Sequence, residues 1–294
     1  MSVLVALTPG ERGTAALHLG TMMSRSSGER LVVATVVPTP WPPSPFPGEA
    51  EYLRHAEQAA AQALDRAAAR LRGGPDAELV VHRARSVSAG LLELAGRREV
   101  SLVVLGSSSA GVLGRVGLSG VAERILHSTH VPVVLAPRGF AAAGTRLTRL
   151  TVAFGPSDEH SDLLQRATAL AATLGAGLRV ATFAPRPVTG FGGSIESSAE
   201  DLVVHQWGRR LRAMIATASP GPAATATATD VEAVVGQGTS WADAIAAVGW
   251  QAGDVLVVGA SSSPVSSFLL GSHASKIVRN SPTPVYLLPR SLRS

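Results

Sequence analysis

Cysteine is absent from all 294 residues. That excludes disulfides, thiolate metal sites and a cysteine nucleophile. Aromatic residues make up only 4%, so a core has to be built from valine, leucine and alanine, as in buried parallel sheets and the helices that cover them. No run approaches the roughly 18 apolar residues of a membrane span. The apolar stretch at 3–7 is too short for a signal core and no basic residue precedes it. A cytoplasmic location without membrane partners is the expectation. Lysine occurs once, at Lys276, and no Gly-rich loop carries the lysine of a Walker A motif. A G-x-S-x-G nucleophile elbow is also missing. The net charge of +5 is carried by scattered arginines with no basic run of five, a pattern that disfavours nucleic acid as a partner.

What is present is a repeat. The strand-turn-helix pattern VLVALTPGERG from Val3 recurs as LTVAFGPSDEH from Leu150, with Pro9 matching Pro156. LVVATVVP from Leu31 recurs as LRVATFAP from Leu178. SLVVLGSSS from Ser101 recurs as DVLVVGASSS from Asp254, and HVPVVLAP from His130 as PTPVYLLP from Pro282. Landmarks kept in the same order at a nearly fixed offset mean an internal duplication. Small and polar residues at 138–148 mark the linker. The domains are therefore placed at 1–140 and 148–294.

The segments 3–7, 31–36, 79–82, 102–105 and 132–135 predict five strands in the first half, and most are short continuous apolar runs of the kind buried on both faces. Leu53, Ala56, Ala60, Leu64, Ala67 and Leu71 share one helical face and predict a helix over 49–71, stopped by Gly73-Gly74-Pro75. In the second half Leu163, Ala167, Leu170 and Leu174 predict one helix, and Val204, Trp207, Leu211 and Ile215 another. Strand and helix alternate, so each half reads as a doubly wound α/β domain with a parallel sheet. Such sheets take ligands beyond the carboxyl ends of their strands, where the strand order reverses.

Two Gly/Ser-rich loops fall at that edge, GSSSAGVLGRVGLSG from Gly106 and GASSSPVSSFLLGS from Gly259. Glycine lets backbone approach a ligand closely. A following helix start adds free N–H groups and the positive end of a dipole, which together suit a phosphate.

These loops, and the Val-Pro-Val strand after the first, resemble the universal stress protein family, and the resemblance spans the chain twice. It implies a five-stranded parallel sheet in each half, with layering like that of adenine nucleotide alpha hydrolases and flavodoxin. It also implies an ATP site in which the loop holds ribose and phosphates and an aspartate after strand one touches the nucleoside. The family loop runs Gly, two residues, Gly, nine residues, then Gly with Ser or Thr. Gly106 matches its first position, Ser109 stands at the second, and Ser119-Gly120 replaces Gly-Ser in swapped order, with Val121 next. In the second copy Gly259 matches, Ser262 replaces the second glycine, and Gly271-Ser272 matches in a loop one residue short. The aspartate position holds Thr8, beside Pro9, in the first copy and Gly155 in the second. Ala34 on strand two completes the candidate set. The full-length loop makes the first copy the preferred site, with Gly120 expected to sit against the phosphates, so that a valine there enters the cradle, demands an unfavourable φ and weakens the nucleotide while the fold survives. Magnesium is implied only together with ATP. The family's habit of pairing through last strands implies that 131–136 and 285–288 lie near a domain interface, and it leaves a homodimer open.

Other candidates carry less. His127 and His130, three apart, have the spacing of two metal ligands but no third in sequence. His273 starts a predicted helix beside Gly271-Ser272. The proline-rich segment 39–48 and its counterpart 184–198 border the cleft as candidate lids. No base, nucleophile and orienting group come together, and Asp243 and Asp254 stand far from any nucleophile, so a catalyst is not expected. Three readings stay open: a nucleotide-binding stress regulator, an interaction module of the same fold with unknown protein partners, and an ATP-using enzyme, the last weakened by the missing lysine and aspartate.

Overall fold

The computed structural model describes residues 1–10, 13–39, 48–108, 111–141, 146–154, 160–185, 231–259 and 270–289. Most of both candidate lids, the predicted helix carrying Val204 to Ile215, and Ser109, Gly155 and Ser262 lie outside the described residues. In chain order the elements are β1 (Ser2–Ala6), α1 (Thr14–Ser27), β2 (Arg30–Pro38), α2 (Gly48–Leu71), β3 (Ala77–Ala84), α3 (Val87–Arg97), β4 (Val100–Gly106), α4 (Gly120–Ser128), β5 (Val133–Ala136), β6 (Arg149–Ala153), α5 (His160–Leu174), β7 (Gly177–Pro185), β8 (Glu232–Gly238), α6 (Trp241–Ala246), β9 (Asp254–Gly259), α7 (Ser272–Asn280) and β10 (Val285–Leu288). All five strands predicted for the first half are present, each within a few residues of its expected ends.

Two compact units form: Met1–Arg146 with Gly259–Ser294, and Leu147–Val258. In the first, β3-β2-β1-β4-β5 run parallel, and β10 joins β5 antiparallel. Val285 lies opposite Leu135, Tyr286 opposite Val134 and Leu287 opposite Val133, so the last strands of the two repeats meet, as the resemblance implied. In the second unit β9-β6-β7-β8 repeat the order β4-β1-β2-β3, again parallel. Each repeat is thus the doubly wound α/β unit that the alternation predicts.

Val3, Leu4, Val5, Leu31, Val33 and Val104 are 0% exposed; apolar runs without alternation follow from helices on both faces of the sheet. Strand β3, at the edge, instead alternates half-buried and exposed residues. Helix α1 lies so close to β1 that a Cβ at Gly20 would stand 2.2 Å from Val5 Cγ2. It ends at Gly28, whose φ of 73° lets its N–H reach the Ser24 carbonyl.

Among the described residues, the second unit holds a buried charge network and the first has no buried charged side chain. Arg179 replaces the repeat's Val32 on an inner strand and is 2% exposed. Its Nε donates to Thr151 Oγ1 at 3.1 Å and its Nη1 to the Val248 carbonyl at 3.0 Å. Nη2 stands 3.5 Å from Asp254 Oδ2, and the guanidinium lies 5.3 Å from the Trp250 ring centre. Arg149 grips the same carboxylate with Nε at 3.1 Å and Nη2 at 2.8 Å. Burial holds the Arg179 guanidinium below its ordinary pKa, with Arg149 adding to the effect and Asp254 opposing it. Asp254 is thus a structural counter-ion to two arginines.

Two stability predictions follow from this packing. Gly20→Ala should destabilise the chain by about 1–3 kcal/mol through overpacking. Gly96→Ala, on an exposed helix position with nothing within 4 Å of the new Cβ, should stabilise it by about 0.4–1 kcal/mol. Urea unfolding midpoints check the opposite signs. Asp254→Ala leaves two arginines without their carboxylate and should cost about 3–5 kcal/mol. Glu232→Gln, at a carboxylate 56% exposed, should cost under about 1 kcal/mol. Equal losses for the two would contradict the ranking.

Candidate functional site

The strand order of the first unit reverses between β1 and β4, because β2 and β3 lie on one side and β5 on the other. Parallel strands deliver their following segments to the same edge, so the turn after β1 and the loop after β4 flank one gap. The turn is held from below. Leu7 N–H donates to the Ala34 carbonyl at 2.8 Å, and Thr35 Oγ1 donates to the Leu7 carbonyl at 3.2 Å. Thr8 and Pro9, next along, are exposed. Ala34 itself is 1% exposed, so what it offers the edge is main chain.

Gly106 ends β4 opposite Ala136 of β5. Ser107 follows and bonds in two directions. Its hydroxyl donates to the Ala136 carbonyl at 2.6 Å and accepts the Gly117 N–H at 2.9 Å. Ser108 N–H donates to the Gly117 carbonyl at 2.9 Å. The loop therefore closes on itself between 107–108 and 117, three residues before α4 begins.

Ser119 is the N-cap of α4: its φ is −95° and its Oγ accepts the Ala122 N–H at 3.1 Å. The swapped Ser-Gly order gives the helix a side-chain cap, which serine provides and glycine cannot. Gly120 and Val121 follow as the first helical residues. Their amides have no protein partner among the described residues, and they form the open, positive end of α4. Gly120 is exposed, its φ is outside the left-handed region, and a Cβ there would meet nothing within 4 Å. This corrects the expectation that a side chain at 120 demands an unfavourable φ; the position starts an ordinary helix with open space beside it.

In the second repeat Gly259 ends β9 and Gly271 is the N-cap of α7, without a side-chain cap. Ser272 is the first helical residue and is exposed, as is His273. His127 lies in the last turn of α4 and His130 beyond it, both exposed. No group of three candidate metal ligands occurs among the described residues. Asp243 accepts from the Thr239 and Ser240 hydroxyls at 2.8 and 2.7 Å at the start of α6, a capping role.

Sequence reading missed Ser107, Arg115 and Arg138. Ser107 had a signal, a hydroxyl directly after a buried strand. The arginines had none, since their partners are main-chain carbonyls elsewhere in the chain.

A model of the universal stress protein family matches residues 1–137 and again residues 147–289. Universal stress proteins of Mycobacterium bovis and Mycobacterium tuberculosis are each 37% identical to this chain over 294 residues, covering 98% of it and 100% of their own length. A solved universal stress protein from Archaeoglobus fulgidus matches the fold with a TM-score of 0.59 at 16% identity, over 100% of this chain and 97% of its own.

The cap at Ser119 can be tested by two substitutions. Ser119→Ala should lower stability by about 1 kcal/mol, and Ser119→Gly by only a few tenths, roughly 0.3 kcal/mol. Urea midpoints measure both; equal effects would mean that the hydroxyl is not capping.

Proposed function

The chain belongs to the universal stress protein family, with the family unit in both halves, and from that premise we propose that it is a cytoplasmic, tandem stress-response regulator that binds an adenine nucleotide, ATP, in its first half. The observation that carries this reading is the open end of α4. Two main-chain amides and a helix dipole lie at the end of the loop that flanks the reversal of strand order, where an anionic group gains most. Gly106, Ser109 and the 119–121 segment supply the phosphate side, with the Thr8-Pro9 turn and the Ala34 main chain on the nucleoside side. Thr8 offers a hydroxyl where the family pattern has a carboxylate, so it can bond a ribose or base without a charge. The second set, Gly155, Gly259, Ser262, Gly271 and Ser272, is the corresponding site of the other repeat. Magnesium enters only as the companion of ATP. No residue is assigned a catalytic role. No helix among the described residues is long and apolar enough to cross a membrane.

A second reading, an interaction module, draws on different residues of the same loop. Val112 and Leu113 are 72% and 71% exposed, while the Ser108 N–H is spent on the Gly117 carbonyl and the Gly117 N–H on the Ser107 hydroxyl. Because β5 and β10 already pair, a homodimer would need another edge.

Equilibrium dialysis of the full-length protein with labelled ATP tests the first reading. Saturable binding is expected. Gly120→Asp should weaken it by about tenfold or more, since a carboxylate there repels phosphate. The same carboxylate suits the first turn of a helix, so stability should hold or rise. Absence of saturable binding by the unmodified protein would sink the nucleotide reading. Unchanged affinity in the variant would move the phosphates elsewhere.

A further inference from the structure

The loop after β4 is fastened at its far side to the last helix of the second repeat. Arg115 Nη1 donates to the Asn280 carbonyl at the end of α7. The next residue, Val116, donates its N–H to the Ser281 carbonyl at 3.3 Å. Ser281 is 0% exposed and is fixed in turn, its hydroxyl donating to the Thr283 carbonyl at 2.8 Å. Three residues separate that acceptor pair from β10, whose antiparallel ladder with β5 sets its position. From the other side, Arg138 closes a two-bond ladder with the loop: Gly114 N–H to the Arg138 carbonyl and Arg138 N–H to the Arg115 carbonyl, both 2.9 Å. Its Nη1 adds a bond to the Gly111 carbonyl at 2.7 Å.

Arg115 is therefore the residue on which these ties converge. Its main chain accepts from Arg138, its side chain reaches α7, and its neighbour Val116 is buried at 2% exposure. Gly117, two residues on, closes the ring with Ser107 and Ser108, and Ser119 opens α4. A carbonyl at the end of a helix is a strong acceptor for a guanidinium, because the helix dipole adds negative potential there. The only charge pair joining α4 to α7 among the described residues, Arg279 to Glu123 at 3.7 Å, is more than half exposed on both sides, and such pairs contribute little. The brace is Arg115, not this pair.

We propose that Arg115 is a positioning residue: by bonding the end of the second repeat's last helix it holds the first repeat's loop in the shape that presents the α4 amides, so the first site is built by both repeats. The part about ligand rests on the nucleotide reading above; the part about loop order does not.

The full-length protein with Arg115→Ala, Arg115→Lys and, as a reference, Arg279→Ala tests it by two readouts. Amide hydrogen exchange is followed at Ser108 and Gly117, and ATP affinity by dialysis. In Arg115→Ala the Gly117 amide should exchange about tenfold faster, as the loop opens locally, and ATP should bind about tenfold more weakly, the loss of one charge-assisted hydrogen bond. Arg115→Lys keeps one charged donor and should recover part of both. Arg279→Ala should change neither by more than about twofold. Unchanged exchange in Arg115→Ala overturns the brace whether or not ATP binds. Faster exchange with unchanged ATP affinity overturns the positioning role. Failure of the unmodified protein to bind ATP removes the nucleotide reading, while exchange at Gly117 still decides the brace.

Discussion

The working edge of this protein depends on β1 being bonded on both sides. Ser2–Ala6 pair with β2 along their whole length, and Ser2–Val5 pair with β4. Because both neighbours are parallel to β1, the chain leaves β1 and β4 at one edge. Because the strand order reverses there, the helices that follow cross to different faces and leave a gap between them. Everything assigned to the site hangs on those two exits. The Leu7–Ala34 and Thr35–Leu7 bonds extend the β1–β2 pairing just past the sheet, so the Thr8-Pro9 turn starts from a fixed point. Ser107 does the same for β4 by bonding Ala136. The sheet thus sets the width of the gap, and only the loop beyond 108 has to be organised separately.

That separate organisation separates what could be read in the sequence from what could not. Most of the strands were legible because burial on both faces leaves a short unbroken apolar run. The repeat was legible because the same runs recur in order. The loop was legible as a type, glycine and serine between a strand and a helix, but its chemistry was not. Reading Ser119-Gly120 against a family pattern made the swap look like damage to a ligand contact. In three dimensions the serine sits at an N-cap and does what N-cap serines do. Arg115 was invisible for a different reason: its acceptor is a main-chain carbonyl 165 residues away, and a carbonyl has no residue type. Arg179 was visible and overlooked. An arginine inside LRVATFAP breaks an apolar run, and a buried guanidinium requires a buried carboxylate. Asp254 was noticed only as a carboxylate remote from any nucleophile, when the relevant question was which cation it balances.

The two repeats have diverged in a consistent direction at their strand starts. At equivalent positions the first has Ser2, Val32 and Ser101, and the second has Arg149, Arg179 and Asp254. In the first, Ser101 Oγ closes the edge by bonding the Ser2 carbonyl at 3.1 Å and the Glu29 carboxylate. In the second, three charges do it, at the cost of placing a guanidinium in the core. A buried network of three charges tolerates fewer single changes than one hydroxyl bridge, since each removal strands a partner. The second unit is therefore the more constrained in sequence at this edge, although its sheet order is the same.

At the opposite edge the divergence runs through a single dipeptide. With Ser119 as N-cap, α4 keeps Gly120 and Val121 amides for an external acceptor and satisfies Ala122 internally. With Gly271 as N-cap, α7 has no hydrogen bond from a cap side chain. The cap gives α4 stability without a ligand. Loop length and the Thr8 hydroxyl favour the first repeat as a binding site, while the kept Gly271-Ser272 order favours the second. The order Ser-Gly or Gly-Ser sets how much of the helix end is left for a ligand, and the fold beneath it is the same in either case.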